Sequence, residues 1–213
     1  MLKIEEFKAN EENLKSLLEL LPKIVEDHAP SSVTYKYLAK TASYFTNRLF
    51  GEVQNEKVDL GALGKINLPF FSMGNINSTH LFGLDELILF CFYLRNKDRY
   101  KKVADLGANI GLHSIIFTNI GFDVTSYEPD KKHFEKIKEN FKLNCPSKKI
   151  NIINKAISTK KDQLEFIRIN DNSTGSHLSG AKENYYGEVE KTIVDTDSFK
   201  EIISKFDFLK IDV

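Results

Sequence analysis

One stretch constrains this chain more than any other: Val103-Ala104-Asp105-Leu106-Gly107-Ala108-Asn109-Ile110-Gly111, followed by Leu112-His113-Ser114 and the apolar run Ile115-Ile116-Phe117. An apolar strand ends on an acidic residue, small and glycine positions let the backbone turn tightly, and a helix begins at once. A turn of this kind aims the backbone N–H groups of the helix start at whatever lies above it. It reads as a loop for a nucleotide-like cofactor, and its neighbours must then supply a sheet with that loop at its carboxyl end.

The chain from Lys102 onward supplies one by alternating strand and helix, the pattern of a mostly parallel sheet with helices on both faces. The expected elements are a strand Val103–Leu106, a helix from Gly111 to Ile120 stopped by Gly121, and a strand Asp123–Glu128. Pro129 then opens a helix from Asp130 to about Leu143 whose Phe134, Ile137 and Phe141 face the sheet. A third strand, Ile150–Asn154, leads into Lys155-Ala156-Ile157-Ser158. Gln163–Ile169 and Glu188–Val194 read as strands on either side of a loop, Asn170–Gly187. A short helix, Asp197–Lys205, precedes a last strand, Asp207–Val213.

The N-terminal part has a different texture. Leu14, Leu17, Leu18, Leu21, Ile24 and Val25 keep helical spacing within Leu2–Asp27, and Pro22 breaks or kinks that helix. Ser31 or Ser32 caps a second helix through Tyr35, Leu38, Tyr44 and Phe45 to Phe50. Val53, Val58, Leu60, Leu63, Ile66 and Leu68 then alternate with polar residues or glycine, as in a small β-ribbon. A loop rich in Asn, Ser and Gly, Phe70–His80, leads to a strongly apolar helix, Leu84–Asn96. His80 in that loop reads as a surface histidine. The division expected is an N-terminal extension, residues 1–83, and a cofactor-binding domain, residues 84–213.

Composition limits the partners. Thirty basic and thirty acidic residues cancel, so no global field recruits nucleic acid or an anionic membrane. The lysines of Lys131–Lys161 alternate with acids, the mark of a solvated face. No apolar run approaches the roughly 18 residues that cross a bilayer, and Glu5 and Glu6 stand where a secretory signal has a basic region. Cys91 and Cys145 show no metal-ligand or redox spacing and read as reduced thiols. The expectation is a cytoplasmic protein without a metal.

Around the loop, two further elements fall at strand ends. Glu128 lies about twenty residues on, where a carboxylate accepts both hydroxyls of a ribose, or else caps the following helix. Lys155-Ala156-Ile157 places a small residue whose backbone reaches the edge of a base. A nicotinamide-dependent oxidoreductase uses the same sheet and carboxylate, but its fingerprint has glycine where this loop begins with Asp105.

The spacing Asp105-x-Gly107-x-Asn109-x-Gly111 resembles the first motif of Rossmann-like S-adenosylmethionine-dependent methyltransferases. GANIGLHS (107–114), SYEPD (126–130), NKAIS (154–158), VDTDSF (194–199) and FLKIDV (208–213), in this order, resemble the FkbM family within that class. The resemblance covers Leu84 to the C-terminus. It implies a Rossmann-like class I sheet and S-adenosylmethionine as cofactor. Asp105, Gly107, Ala108, Asn109 and Gly111 are expected to face the amino-acid part of the cofactor, with Ser114 adding a polar contact. Glu128 would hold the ribose, Pro129 and Asp130 would flank the adenine, and Ala156 would touch its edge.

Lys210 and Asp212 match the segment beside the transferred methyl group. There Asp212 is a candidate base for an acceptor hydroxyl, or alternatively a strand cap or a contact to the cofactor ammonium. The implied activity is O-methylation of a hydroxyl on a sugar, glycolipid or small metabolite. The family pattern continues past Asp212-Val213, so a C-terminally incomplete sheet from a truncated gene product is expected, with weak turnover. The alternative is a cofactor-binding or interaction module without turnover. The remaining partner expectation is room for a homodimer through the N-terminal helices or the exposed sheet edge.

Overall fold

The computed structural model describes residues 9–52, 56–148, 150–182 and 187–212. Expectations resting on Leu2, Glu5, Glu6, Val53 and Val213 lie outside the described residues. Two units emerge, one from the chain up to Phe70 with Ser78–Leu94, the other from Phe71–Asn77 with Arg95 onward. The boundary expected at Leu84 falls inside a stretch that groups with the first unit.

In the first unit, helix α1 (Glu11–Leu20) starts where the Asn10 side chain accepts from the Asn13 N–H at 2.9 Å, and it buries Leu14, Leu17 and Leu18. Pro22 stops the α-helical ladder, and two 3-10 turns, Leu21–Lys23 and Val25–Asp27, carry the chain onward. Helix α2 (Val33–Phe50) is capped by Ser32, whose oxygen accepts from the Tyr35 N–H. Its burial is concentrated in Ala42, Phe45, Thr46 and Phe50, while Tyr44 is exposed. Phe50 stacks on Phe82 with ring centroids 4.0 Å apart. The ribbon reduces to β1 (Val58–Asp59) and β2 (Lys65–Ile66), antiparallel and joined through a 3-10 turn at Gly61–Leu63. Helix α3 (Leu84–Arg95) buries Leu84, Leu87, Phe90 and Tyr93, and its Cys91 thiol donates to the Leu18 carbonyl at 3.3 Å. His80 lies in a 3-10 turn of this unit, Ser78–Phe82.

The second unit holds a parallel sheet built from β3 (Lys102–Leu106), β4 (Asp123–Tyr127), β5 (Asn151–Ile153) and β10 (Phe208–Ile211), in the order β10-β3-β4-β5. Helices α4 (Leu112–Ile120) and α5 (Lys131–Asn144) make the crossovers. Helix α4 ends on Gly121 in the left-handed region, as its sequence predicts. Phe117 of α4 meets Phe122 and Phe208 edge-on, with centroids 5.6 and 6.0 Å away. Full burial of each such side chain contributes roughly 1.5–3 kcal/mol. Ala104, Leu106, Tyr127 and Ile202 form a core cluster beneath the strand ends.

A second sheet, order β6-β9-β7-β8, comprises β6 (Ala156–Ser158), β7 (Gln163–Ile169), β8 (His177–Leu178) and β9 (Val189–Ser198). Three local expectations change here. Strand β8 falls within the stretch read as loop, because His177 and Leu178 pair antiparallel with Ile167 and Phe166. The last helix, α6 (Phe199–Ile203), starts two residues late, since Asp197 and Ser198 stay extended against Ile157 and Ser158. Helix α5 begins at Lys131 with Asp130 as cap, and its buried stripe is His133, Ile137, Asn140 and Phe141, with Phe134 only partly covered.

No described helix is long and apolar enough to cross a membrane.

Candidate functional site

The loop after β3 turns through three residues in the left-handed region: Gly107 (φ 76°), Asn109 (φ 53°) and Gly111 (φ 88°). Asparagine tolerates that region better than most side chains. Gly111 is also confined, because a Cβ there would meet two Ile137 carbons at 3.4 Å. The loop is tied to the neighbouring strand end. The Gly107 and Ala108 N–H groups donate to the Tyr127 carbonyl at 3.0 and 2.9 Å, the Asn109 N–H to Glu128 Oε2 at 2.7 Å, and the Gly111 N–H to the Ala108 carbonyl at 2.8 Å. The turn was expected to hold such donors free for a ligand. These four are engaged within the protein.

Glu128 is the pivot of this arrangement. Its second oxygen accepts from the Asp130 N–H at 2.8 Å, and the residue is only 5% exposed. Burial pushes its carboxyl up to about 8; the two N–H donors pull it down, while the Asp130 and Asp105 carboxylates add to the rise. Asn154 holds the adjoining backbone, its amide donating to the Glu128 and Pro129 carbonyls at 2.8 and 3.1 Å. The NKAIS motif marks this asparagine in the sequence, but its acceptors, twenty-five and twenty-six residues away, come together with it only in the fold.

Beneath the loop lies a buried polar layer. Asp105 is wholly inaccessible and accepts from the Ser114 hydroxyl at 2.6 Å; Ser114 and Ser126 share a further hydrogen bond at 2.7 Å. Lys210 Nζ stands 3.4 Å from Asp105 Oδ1, 3.3 Å from the Gly107 carbonyl it donates to, and 3.5 Å from Asp212 Oδ2. The approach to Asp105 is close enough for charge pairing but lacks hydrogen-bond alignment, so Asp105 Oδ1 accepts no hydrogen bond. Asn109 Oδ1 is a second buried acceptor without a donor.

A cavity of about 250 Å³ opens above these groups. Of the sequence-predicted site residues, Gly107, Asn109, Glu128, Pro129, Ala156 and Asp212 line it. Asp105, Ala108, Gly111, Ser114, Asp130 and Lys210 do not. Ser114 is fully buried and supports Asp105 rather than facing the cavity. Asp130 caps α5 through the Lys132 and His133 N–H groups at 2.7 and 3.2 Å, and its other oxygen accepts from Arg168 Nε at 2.6 Å. Lys210 points its ammonium into the loop base, whereas the Asp212 side chain is 78% exposed at the cavity rim.

The remaining wall comes from residues that the sequence did not single out. Phe166, Ser173, His177 and Leu178 line it, as does His133, whose Nε2 shares a hydrogen bond with Ser173 Oγ at 2.9 Å. Burial lowers the basicity of His133 below the ordinary histidine range. Lys155, also on the wall, pairs with Asp197 at 2.9 Å. Among the described residues, no group of three or more His, Cys, Asp or Glu side chains gathers as a metal site.

The chemistry of this cavity favours a ligand that brings hydrogen-bond donors. Glu128 and Asn109 line its floor, and the turn N–H groups that a pyrophosphate would need are already engaged. Residues 105–213 match the methyltransferase FkbM domain. No curated protein matches the chain.

Proposed function

The chain belongs to the FkbM methyltransferase family, and on that premise we propose that it uses S-adenosylmethionine, bound over the Asp105–Gly111 loop, to methylate a hydroxyl oxygen. The parallel sheet β10-β3-β4-β5, with its loops gathered at the carboxyl ends, is read as a Rossmann-like sheet in this proposal. The observation that carries it is the grouping of Gly107, Asn109, Glu128, Ala156 and Asp212 around one cavity.

Each residue's part follows from its environment. Glu128 accepts the ribose hydroxyls with the lone pairs its two N–H donors leave available. The Asn109 side-chain oxygen takes a donor from the amino-acid part of the ligand. Pro129 and Ala156 offer apolar surface to the base. The Asp105–Lys210–Ser114 layer holds the loop in its left-handed turn without touching the ligand.

The bound cofactor supplies a methyl group already activated on a sulfonium, so the protein's work is positioning and exclusion of water. Asp212, exposed at the rim, takes the proton of the acceptor hydroxyl. The proposal sets the chain in a reducing cytoplasm, where Cys91 and Cys145 stay free thiols. The acceptor class, a sugar, glycolipid or small hydroxylated metabolite, follows from the family resemblance.

A methyl-release assay over a panel of hydroxylated acceptors tests the reading, paired with Asp212→Asn. Turnover that drops about a hundredfold or more with the affinity for S-adenosylhomocysteine kept supports Asp212 as the base. Unchanged turnover in the variant removes that role, and transfer only to nitrogen acceptors removes the O-methylation.

A further inference from the structure

The segment Phe71–Asn77 lies outside the residues that match the family, yet it belongs to the same unit as the cavity. It forms a tight hairpin in which Ser72 pairs with Asn77 and the Met73 N–H donates to the Ile76 carbonyl at 2.8 Å. The hairpin is laced to the chain that follows β7. The Asn75 N–H donates to the Asp171 carbonyl at 2.6 Å, the Ser173 N–H donates to the Met73 carbonyl at 3.0 Å, and Gly74 bridges Asn172. Gly74 sits at φ 90°, and a Cβ there would stand 2.1 Å from the Asp171 carbonyl oxygen.

What the hairpin holds is the cavity wall. Ser173, His177 and Leu178 line the cavity, and Ser173 Oγ is bonded to the buried His133, whose ring Phe71 meets edge-on with centroids 6.1 Å apart. The sheet order fixes which end of the cavity this is. Asp212 follows edge strand β10, while Glu128 follows β4 and Ala156 lies beyond β5, the opposite edge. A ligand whose ribose lies on Glu128 therefore directs its base toward Ala156 and this wall, away from Asp212.

We propose that the Phe71–Asn77 hairpin is a positioning element of the cofactor site, holding the Ser173–Leu178 wall against the end of the cavity that receives the base. The proposal rests on the S-adenosylmethionine reading and extends it to a segment outside the family-matched residues. Its consequence is that affinity for the nucleoside half of the cofactor depends on contacts that never touch it.

The test uses the full chain, with S-adenosylhomocysteine and adenosine as probes in calorimetric titration and amide exchange measured without ligand. Gly74→Ala should speed exchange across residues 170–178, leave β3 to β5 unchanged, and weaken both probes by about tenfold or more, the scale of a displaced binding surface. Should that variant fail to fold, Ser173→Ala removes only the hydroxyl that meets His133. It should weaken both probes a few-fold, and Ser173→Thr should restore them, which a purely structural loss would not do. Affinities equal to wild type with a loosened wall overturn the proposal, as does an unaltered wall. A loss for S-adenosylhomocysteine with adenosine unaffected also overturns it, since the wall would then not serve the base. Wild-type protein that binds neither probe overturns the cofactor reading, and this proposal falls with it.

Discussion

Replacing Glu128 by glutamine keeps the side chain's shape and removes a buried ionisable group. In the folded protein, burial raises this carboxyl from 4.5 to about 8, a difference that corresponds to roughly 5 kcal/mol between its two protonation states. Because the folded value is the higher one, the stabilisation is fully present below the unfolded value near 4.5 and is lost as pH rises through about 8. Between pH 5 and pH 8 this one group should lower the stability of the wild type by roughly 3–4 kcal/mol relative to Glu128→Gln.

The variant has its own constant cost. One of the N–H donors, from Asn109 or Asp130, then faces an amide NH2, which costs about 1–3 kcal/mol at every pH. Urea unfolding of both proteins at pH 5, 6.5 and 8 measures the difference, and other titrating groups cancel. Stability curves that stay parallel within about 1 kcal/mol across that range would refute the buried-carboxylate account. In the same range, affinity for a ribose-bearing ligand should tighten as pH rises in the wild type, because hydroxyl donors favour the ionised form, and should be flat in the variant.

Two further outcomes follow from the supporting layers. Asp130→Ala removes the cap of α5 and the partner of the largely buried Arg168; unfolding should show a loss of about 3 kcal/mol, and Asp130→Asn, which keeps the cap, should lose less. Lys210→Met leaves Asp105 buried without the cation 3.4 Å away, so thermal and urea unfolding should report about 3 kcal/mol of destabilisation.

The elements that local chemistry dictates were legible in the sequence. The Asp105–Gly111 turn, the Pro22 break, the Ser32 cap and the Gly121 stop all rest on residues whose backbone preferences act within one turn. The parts that depended on distant partners were not. Asp130 reads from the sequence as a base contact, whereas in the fold Arg168, thirty-eight residues on, donates to it. Ser114 read as a ligand contact because nothing local reveals that its hydroxyl lies between Asp105 and Ser126.

Strand β8 carries only two residues and takes its form from pairing with β7, so no periodicity announces it. The wall of Ser173, His177 and His133 is equally invisible. Its residues come from a 3-10 turn, strand β8 and helix α5, which meet only in the fold. The engagement of the turn N–H groups is hidden for the same reason, since their acceptors, Tyr127 and Glu128, lie at the end of the next strand.

The central claim is that the cavity above Asp105–Gly111, with Glu128 on its floor, binds S-adenosylmethionine. Calorimetric titration of the chain with S-adenosylmethionine and, separately, with NAD tests it most directly. The account predicts saturable one-to-one binding of S-adenosylmethionine, weakened by Glu128→Gln above pH 8, and little or no binding of NAD. Tighter binding of NAD, or no binding of S-adenosylmethionine by the folded chain, would contradict it.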